Sequence, residues 1–418
     1  MSIYSQCWLL MIIFISTMTT VLADSTAPQA NHNDVVVVNP NLQFKEVLEK
    51  TFARNPHQAK LLSQQSVLDA RNKVASAILP YTPSITVSHQ NDTVGSGRGE
   101  REWQAELELP VWRPNQRQNR LKVADAYQSN LISSQESLKL QVAGALRDAL
   151  WDIAFNENNV ALASNKLAVS QRLQIDVEKR FKAGELAKTD AIFAQQETLL
   201  AEKEELRATA ELMHARHRYY VLTGLHEIPA NIQEKQSNLE DYNQSPIWLE
   251  AQSKLGLAES ERQLATIESR DNYQVLISAR SIKGGFDTMF NESVGLKIRI
   301  PFGGDARAAT IKSASELNLG NALSDYETLR LALETAMHEA EHNLSVSQAE
   351  LGIANKQFDM SKESVRLANK AFKLGETDLV SLLRVQAQAN EIERAFTSRQ
   401  IQLQWDIARY NQAVGVLP

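Results

Sequence analysis

The sequence predicts a mainly α-helical chain that also contributes to a transmembrane β-barrel, with a long coiled-coil helical tunnel and four strands per chain. Three observations predict it. One unit of sequence occurs twice, each copy holds two short segments of strict alternation, and each copy continues into helical stretches far longer than a globular domain uses. The charge balance, 44 basic against 50 acidic residues, is mildly acidic and gives no electrostatic reason to bind nucleic acid.

In chain order, the first 23 residues read as a secretory signal. Residues 8–15 (WLLMIIFI) are an apolar run too short to span a bilayer, and Val21-Leu22-Ala23 places small residues where a signal peptidase cuts, after Ala23. No Lys or Arg precedes Lys45, and the single cysteine, Cys7, lies ahead of the apolar run. A mature chain without cysteine fits an exported protein with no disulfide and no thiol chemistry. Residues 24–40 read as a flexible segment.

The repeat then organises the rest. Leu109-Pro110 recurs as Ile300-Pro301, Phe181-Lys182-Ala183-Gly184-Glu185 as Phe372-Lys373-Leu374-Gly375-Glu376, and Tyr219 and Gly224 as Tyr410 and Gly415, all at an offset of 191. Pro56 and Pro246 match at 190. The two copies are assigned to 41–224 and 246–418, joined by a polar surface connection at 225–245. Each copy begins with a helix, at 41–79 with an interruption at Asn55-Pro56, and at 246–269.

Two alternating segments follow in each copy: 84–92 and 101–110 around a Gly-rich turn, then 273–283 and 293–301. Trp103, Ala105, Leu107 and Leu109 alternate with Gln104, Glu106 and Glu108, while Val294, Leu296, Ile298 and Ile300 alternate with Gly295, Lys297 and Arg299. Period two over about 9–11 residues marks a strand with one face to lipid and one to a lumen. The expected lumen charges are complementary, since Glu106 and Glu108 occupy the repeat positions of Lys297 and Arg299. An amphipathic hairpin on a soluble core would share this alternation.

After each second strand comes a stretch without proline, between Pro114 and Pro229 and between Pro301 and Pro418. Apolar residues, many of them alanine, recur at spacings of three and four, as in Leu138, Val142, Ala145, Ala149 and Ile153, which lets neighbouring helices approach closely. Glycine punctuates each stretch once, at Gly184 and Gly375. Residues 115–181 number 67, about 100 Å of helix at roughly 1.5 Å per residue. Four strands cannot close a membrane barrel, because about eight is the minimum and lipid tolerates no open edge. The barrel must be shared among copies of the chain: two would give eight strands, three would give twelve.

This order of elements, present twice, resembles the TolC-like outer-membrane efflux proteins over nearly the whole mature chain. Leu-Pro-Val-Trp-Arg-Pro-Asn-Gln-Arg at 109–117 and Phe-Lys-Leu-Gly-Glu-Thr-Asp-Leu-Val-Ser-Leu-Leu-Arg at 372–384 look most like the branch serving heavy-metal cation exporters. The resemblance implies a homotrimer with a twelve-stranded barrel in outer-membrane lipid and a tunnel into the periplasm. It also implies a periplasmic adaptor protein and a proton-driven inner-membrane pump of the RND type as partners. The chain would be a passive export conduit, not an enzyme, without a cofactor. It departs from many relatives in having no lipid-attachment cysteine and no long extension beyond Gly415. Type I secretion and multidrug efflux remain open as alternatives, as does a periplasmic coiled-coil scaffold.

The resemblance also assigns roles. Lys182, Ala183, Gly184, Glu185 and Leu186, with Lys373, Leu374, Gly375, Glu376 and Thr377, correspond to the tips where the adaptor docks, with an apolar flank entering a partner groove. Asp190 corresponds to an acidic aperture residue; the second copy has Ser381 there and Asp378 nearby. His338-Glu339-Ala340-Glu341-His342 satisfies the zinc-protease pattern H-E-x-x-H, with both histidines on one helical face. That chemistry needs a third ligand and a cleft around an open metal position, and no later histidine exists. The motif is assigned to solvated helix surface, like His214 and His217, and no metal site is assigned.

Overall fold

The computed structural model describes residues 36–418, so the expected leader, its cleavage after Ala23 and most of 24–40 lie outside the described residues. The chain forms β1 (Val37–Asn39), α1 (Phe44–Arg54), α2 (Gln58–Ser76), β2 (Ser84–Asn91), β3 (Arg101–Val111), α3 (Gln116–Lys182) and α4 (Lys188–Thr223). It continues with β4 (Glu227–Pro229), α5 (Pro246–Glu268), β5 (Tyr273–Lys283), β6 (Asn291–Arg299), α6 (Asp305–Lys373) and α7 (Leu379–Val414).

The order α2-β2-β3-α3-α4 thus returns as α5-β5-β6-α6-α7. The long helices are 67 and 69 residues. Asn115, at φ 63°, turns the chain out of the sheet and into α3; asparagine is one of the few side chains that tolerates this left-handed region. Pro246 opens α5 at a position where a missing N–H costs nothing, whereas the related Pro56 separates α1 from α2. The first half therefore carries one extra helix, α1.

Two hairpins of helices, α3–α4 and α6–α7, lie side by side through α3 and α7, with α5 and α2 against the upper part of α3. The largest core sits midway along α3. Val142, Ala143, Leu146, Leu150 and Ile153 pack there with Leu212, Ala215 and Tyr219 of α4, Val47 and Leu48 of α1, and Ile228 of β4. Tyr219 and its repeat partner Tyr410 both donate to carbonyls of the connection at 225–245, a strap across the helices: to Glu227 at 2.8 Å and Leu239 at 2.7 Å. Burial pushes the Tyr219 phenol up to about 12, so it remains a neutral donor.

Two stretches read from the sequence as a free segment and a connection have a further part in the fold. Residues 37–39, within the segment expected to be flexible, form β1, parallel to β4, with Val37 opposite Glu227 and Val38 opposite Ile228. The polar connection at 225–245 has many exposed residues and also reaches inward. Its polar residues are acceptors for buried donors, which hydropathy alone cannot reveal. Arg147, 2% exposed, makes two 2.7 Å bonds to Glu234 and donates to Gln412 Oε1 at 2.6 Å and the Val416 carbonyl at 2.9 Å. Leu239 and Tyr242 pack on Met337, Leu344 and Tyr410.

Candidate functional site

The four longer strands form one antiparallel sheet in the order β2-β3-β5-β6. Register puts apolar residues in rows across all four: Ile85–Leu107–Ile277–Leu296 and Val87–Ala105–Ala279–Val294. The opposite face is polar. Lys297 Nζ lies 2.8 Å from Glu106 Oε2, and Arg299 Nη1 lies 3.2 Å from Glu108 Oε1. Arg280 takes both oxygens of Glu102, at 2.5 and 2.8 Å. Each copy thus neutralises the other on one face, at equivalent repeat positions for Glu106 with Lys297 and Glu108 with Arg299, with Leu276 as an apolar exception. Eleven residues of strand reach about 36 Å; tilted by about 40° they cover about 27 Å, close to the apolar band of a membrane barrel at about 25 Å. Among the described residues, the outer edges of β2 and β6 are unpaired.

The two helix turns meet at the far end of the hairpins. Val177, Ala194, Phe372, Leu379 and Leu382 form one small core, with Leu173 and Leu186 packed against it. Arg180 of the first hairpin stacks over the Phe372 ring of the second, 5.0 Å from its centre. Both turns end their helix alike. The Gly184 N–H bonds the Phe181 carbonyl and the Glu185 N–H that of Arg180; Gly375 and Glu376 repeat this on Phe372 and Ala371. This closure needs positive φ at one residue, and Gly184 (82°) and Gly375 (73°) supply it. Lys182, Ala183, Glu185, Lys373 and Glu376 are exposed, while Thr377 is half-buried. Leu186 is turned into the core below the tip and is not offered outward; Leu374, 63% exposed, is the apolar side chain the tips present.

The acidic residues after the tips cap the returning helices. Asp190 Oδ2 accepts the Ala187 N–H at 3.2 Å, and Asp378 Oδ1 accepts the Ser381 N–H at 2.7 Å. The Ser381 hydrogen bonds, with Arg384 nearby, hold the Asp378 carboxyl below its ordinary value. One copy therefore caps from the third helical position and the other from the residue preceding the helix.

A further surface escapes the sequence reading. Ile192, Leu199, Leu206 and Met213 on α4 are exposed at intervals of seven, and so are Val346, Ile353, Met360 and Leu367 on α6, with Leu374 just past its end. α4 and α6 are the outer helices of the pair of hairpins, each packed on its own hairpin partner. A strict period of seven is the seam of a left-handed coiled coil. That period was available in the sequence, masked by the alanine pattern that builds the inner seams.

His338 and His342 stand one turn apart on α6 with rings nearly parallel, 6.4 Å between centres. Among the described residues no three His, Cys, Asp or Glu side chains are grouped to hold a metal. His214 has Glu211 at 3.7 Å. No helix among the described residues is long and apolar enough to cross a membrane.

No family model and no curated relative matches the sequence. Solved structures do match over nearly the whole chain. The outer-membrane channel OprN superposes with a TM-score of 0.72 at 17% identity, covering 89% of each chain. CusC, a protein that forms a transmembrane channel, gives 0.72 at 13% identity over 94% of this chain and 96% of its own. The outer-membrane protein VceC of Vibrio cholerae gives 0.72 at 14% identity over 90% and 97%. With its paired hairpins, its four-stranded sheet and this coverage of both chains, the protein has the fold of the TolC-like outer-membrane channels.

Proposed function

We propose that the chain is the outer-membrane channel subunit of a tripartite efflux system, working as a homotrimer and as a passive conduit from periplasm to exterior. The observation that carries this reading is the coincidence of two kinds of unfinished edge. The sheet ends in unpaired β2 and β6, and the hairpins end in bare heptad seams on α4 and α6. Both are completed by the same operation, a rotation that brings one chain's second half against the next chain's first half. Three copies give twelve strands, with Glu106, Glu108, Lys297 and Arg299 facing the lumen and the rows of Leu, Ile and Val facing lipid. A coiled-coil scaffold in the periplasm would leave those apolar rows without a function.

In this assembly the tips form the inner end of the tunnel. Lys182, Ala183, Gly184, Glu185, Leu186, Lys373, Leu374, Gly375, Glu376 and Thr377 belong to the adaptor-docking region, with Leu374 as the apolar contact and Leu186 supporting it from below. Asp190, Asp378 and Ser381 line the aperture, where caps of the helices also present carboxylates to passing ions. The inner-membrane pump supplies the energy through the adaptor. The segments at 109–117 and 372–384 favour heavy-metal cations as cargo.

The test is reconstitution. Purified mature protein is expected to run as a trimer in detergent and to give discrete conductance steps in a planar lipid bilayer, with ion selectivity altered in Lys297→Glu. A water-soluble monomer without conductance would sink the channel reading. For the cargo, a deletion strain whose tolerance to zinc, cobalt, cadmium, copper and silver is unchanged would remove the metal assignment and leave the channel standing.

A further inference from the structure

The exposed histidine pair of α6 is the feature that the fold leaves unexplained. His338, Glu339, Glu341 and His342 are all exposed. Among the described residues, none of the four side chains has a hydrogen bond or ion pair to another residue, and Glu341 acts at longer range on the Tyr410 phenol. Charged neighbours along the same helix behave differently: Arg330 is held by Glu327 and Glu334, Arg366 by Glu363, and Glu350 by Arg399. The repeat partners of the two histidines, 191 residues earlier, are Arg147 and Trp151, both buried in the first half. Glu234 of the connection at 225–245 meets that face of α3 at Arg147, and the corresponding face of α6 stays open at His338 and His342.

We propose that His338 and His342 form a two-ligand site for a borderline divalent transition-metal ion, with Cu(II) bound most tightly. Residues four apart on a helix are surface neighbours, and each neutral imidazole offers one ring nitrogen. Metal–nitrogen bonds of about 2.0–2.1 Å bring two coordinated rings to roughly 5 Å between centres. The observed 6.4 Å therefore closes by side-chain rotation alone, and the exposure of both rings leaves that rotation free. Glu339 and Glu341, unpaired and flanking, add negative charge that draws a cation, and water completes the shell. The site has no third protein ligand and no enclosing cleft, so it binds reversibly and does not hydrolyse peptides. Affinity for nitrogen ligands rises towards copper along the first-row series, and a hard ion such as magnesium is not held. The pair is complete within a single turn of one chain, so this inference stands apart from the channel reading.

The test is Cu(II) titration of the purified full-length mature protein in detergent, followed by calorimetry and by electron paramagnetic resonance. The expected result is one Cu(II) per chain with two nitrogen ligands. His338→Ala and His342→Ala should each weaken it by at least about tenfold, since even loss of a ligand's outer-shell support costs about 10–100-fold. Helix content and elution volume of both variants, compared with the wild type, establish that the fold survives. The variant His214→Ala/His217→Ala should keep the site. The proposal is overturned if His338→Ala/His342→Ala binds Cu(II) with unchanged stoichiometry and affinity. It is equally overturned if the wild type shows no two-nitrogen signal.

Discussion

α3 and α6 are equivalent helices of one repeated unit, yet they live in different surroundings. Nineteen residues of α3 are buried and only seven of α6, although the second helix is two residues longer. α3 is flanked by α2, α4, α5 and α7, whereas α6 packs on α5 and α7. At the level of the core the contrast is sharpest: Leu146, Arg147 and Leu150 are buried, and their partners Met337, His338 and Glu341 run from buried to fully open. Duplication supplies identical geometry, and position in the chain decides which copy becomes interior. Along the α6 seam the counterparts on α3 are half-buried at Phe155 and Leu162 and exposed at Val169, Asp176 and Ala183, so the covering of α3 is concentrated at the level of the core.

The largest expected effect tests the covered side. Arg147→Ala removes the guanidinium from a largely covered Glu234, which keeps only its bond from Asn411, and the loss of such a partner costs up to about 3–5 kcal/mol; chemical denaturation of the helical signal reads it, while His338→Ala at the equivalent site should cost almost nothing. Next come the two tips, where the copies ought to behave alike. Gly184→Ala and Gly375→Ala force an L residue to positive φ in otherwise open space, at about 1–2 kcal/mol each. Unequal costs in thermal melts would break the equivalence of the turns.

The open side is tested by Ile353→Ala, at a residue 59% exposed. Stability of the single chain should shift by no more than about 0.5 kcal/mol, while light scattering should show a weakened oligomer. A large loss in the isolated chain would mean that the seam is already covered. The smallest effect separates the two caps. The Asp378 carboxyl lies below its ordinary value because Ser381 and Arg384 favour its charged form. Its contribution is therefore complete above the ordinary carboxylate range and disappears as pH falls through the lowered value. Hydrogen exchange of residues 379–382 should distinguish Asp378→Asn from the wild type at neutral pH, and the difference should vanish in strong acid.

Much of the fold was legible because its signals are local. Period two in Trp103–Leu109 and Val294–Ile300, absence of proline, and glycine at 184 and 375 each act over a few residues. The contribution of 225–245 was not legible, because a glutamate that will meet Arg147 looks the same as one that will meet water. β1 and β4 are three residues each, too short for any period. At the site, the charge pairing of Glu106 with Lys297 could be foreseen from the repeat offset, but the inward turn of Leu186 could not, since both its exposed and its buried positions fit the same turn.

The ties of Arg147 have a further consequence for how the molecule is made. Its acceptors come from the connection at 225–245 and from Gln412 and Val416 of the second repeat, all made after α3 itself. A nascent chain that has already threaded its first hairpin still holds an unanswered guanidinium at its waist. Closure of the first repeat thus waits on synthesis of the second, and neither half is finished by itself.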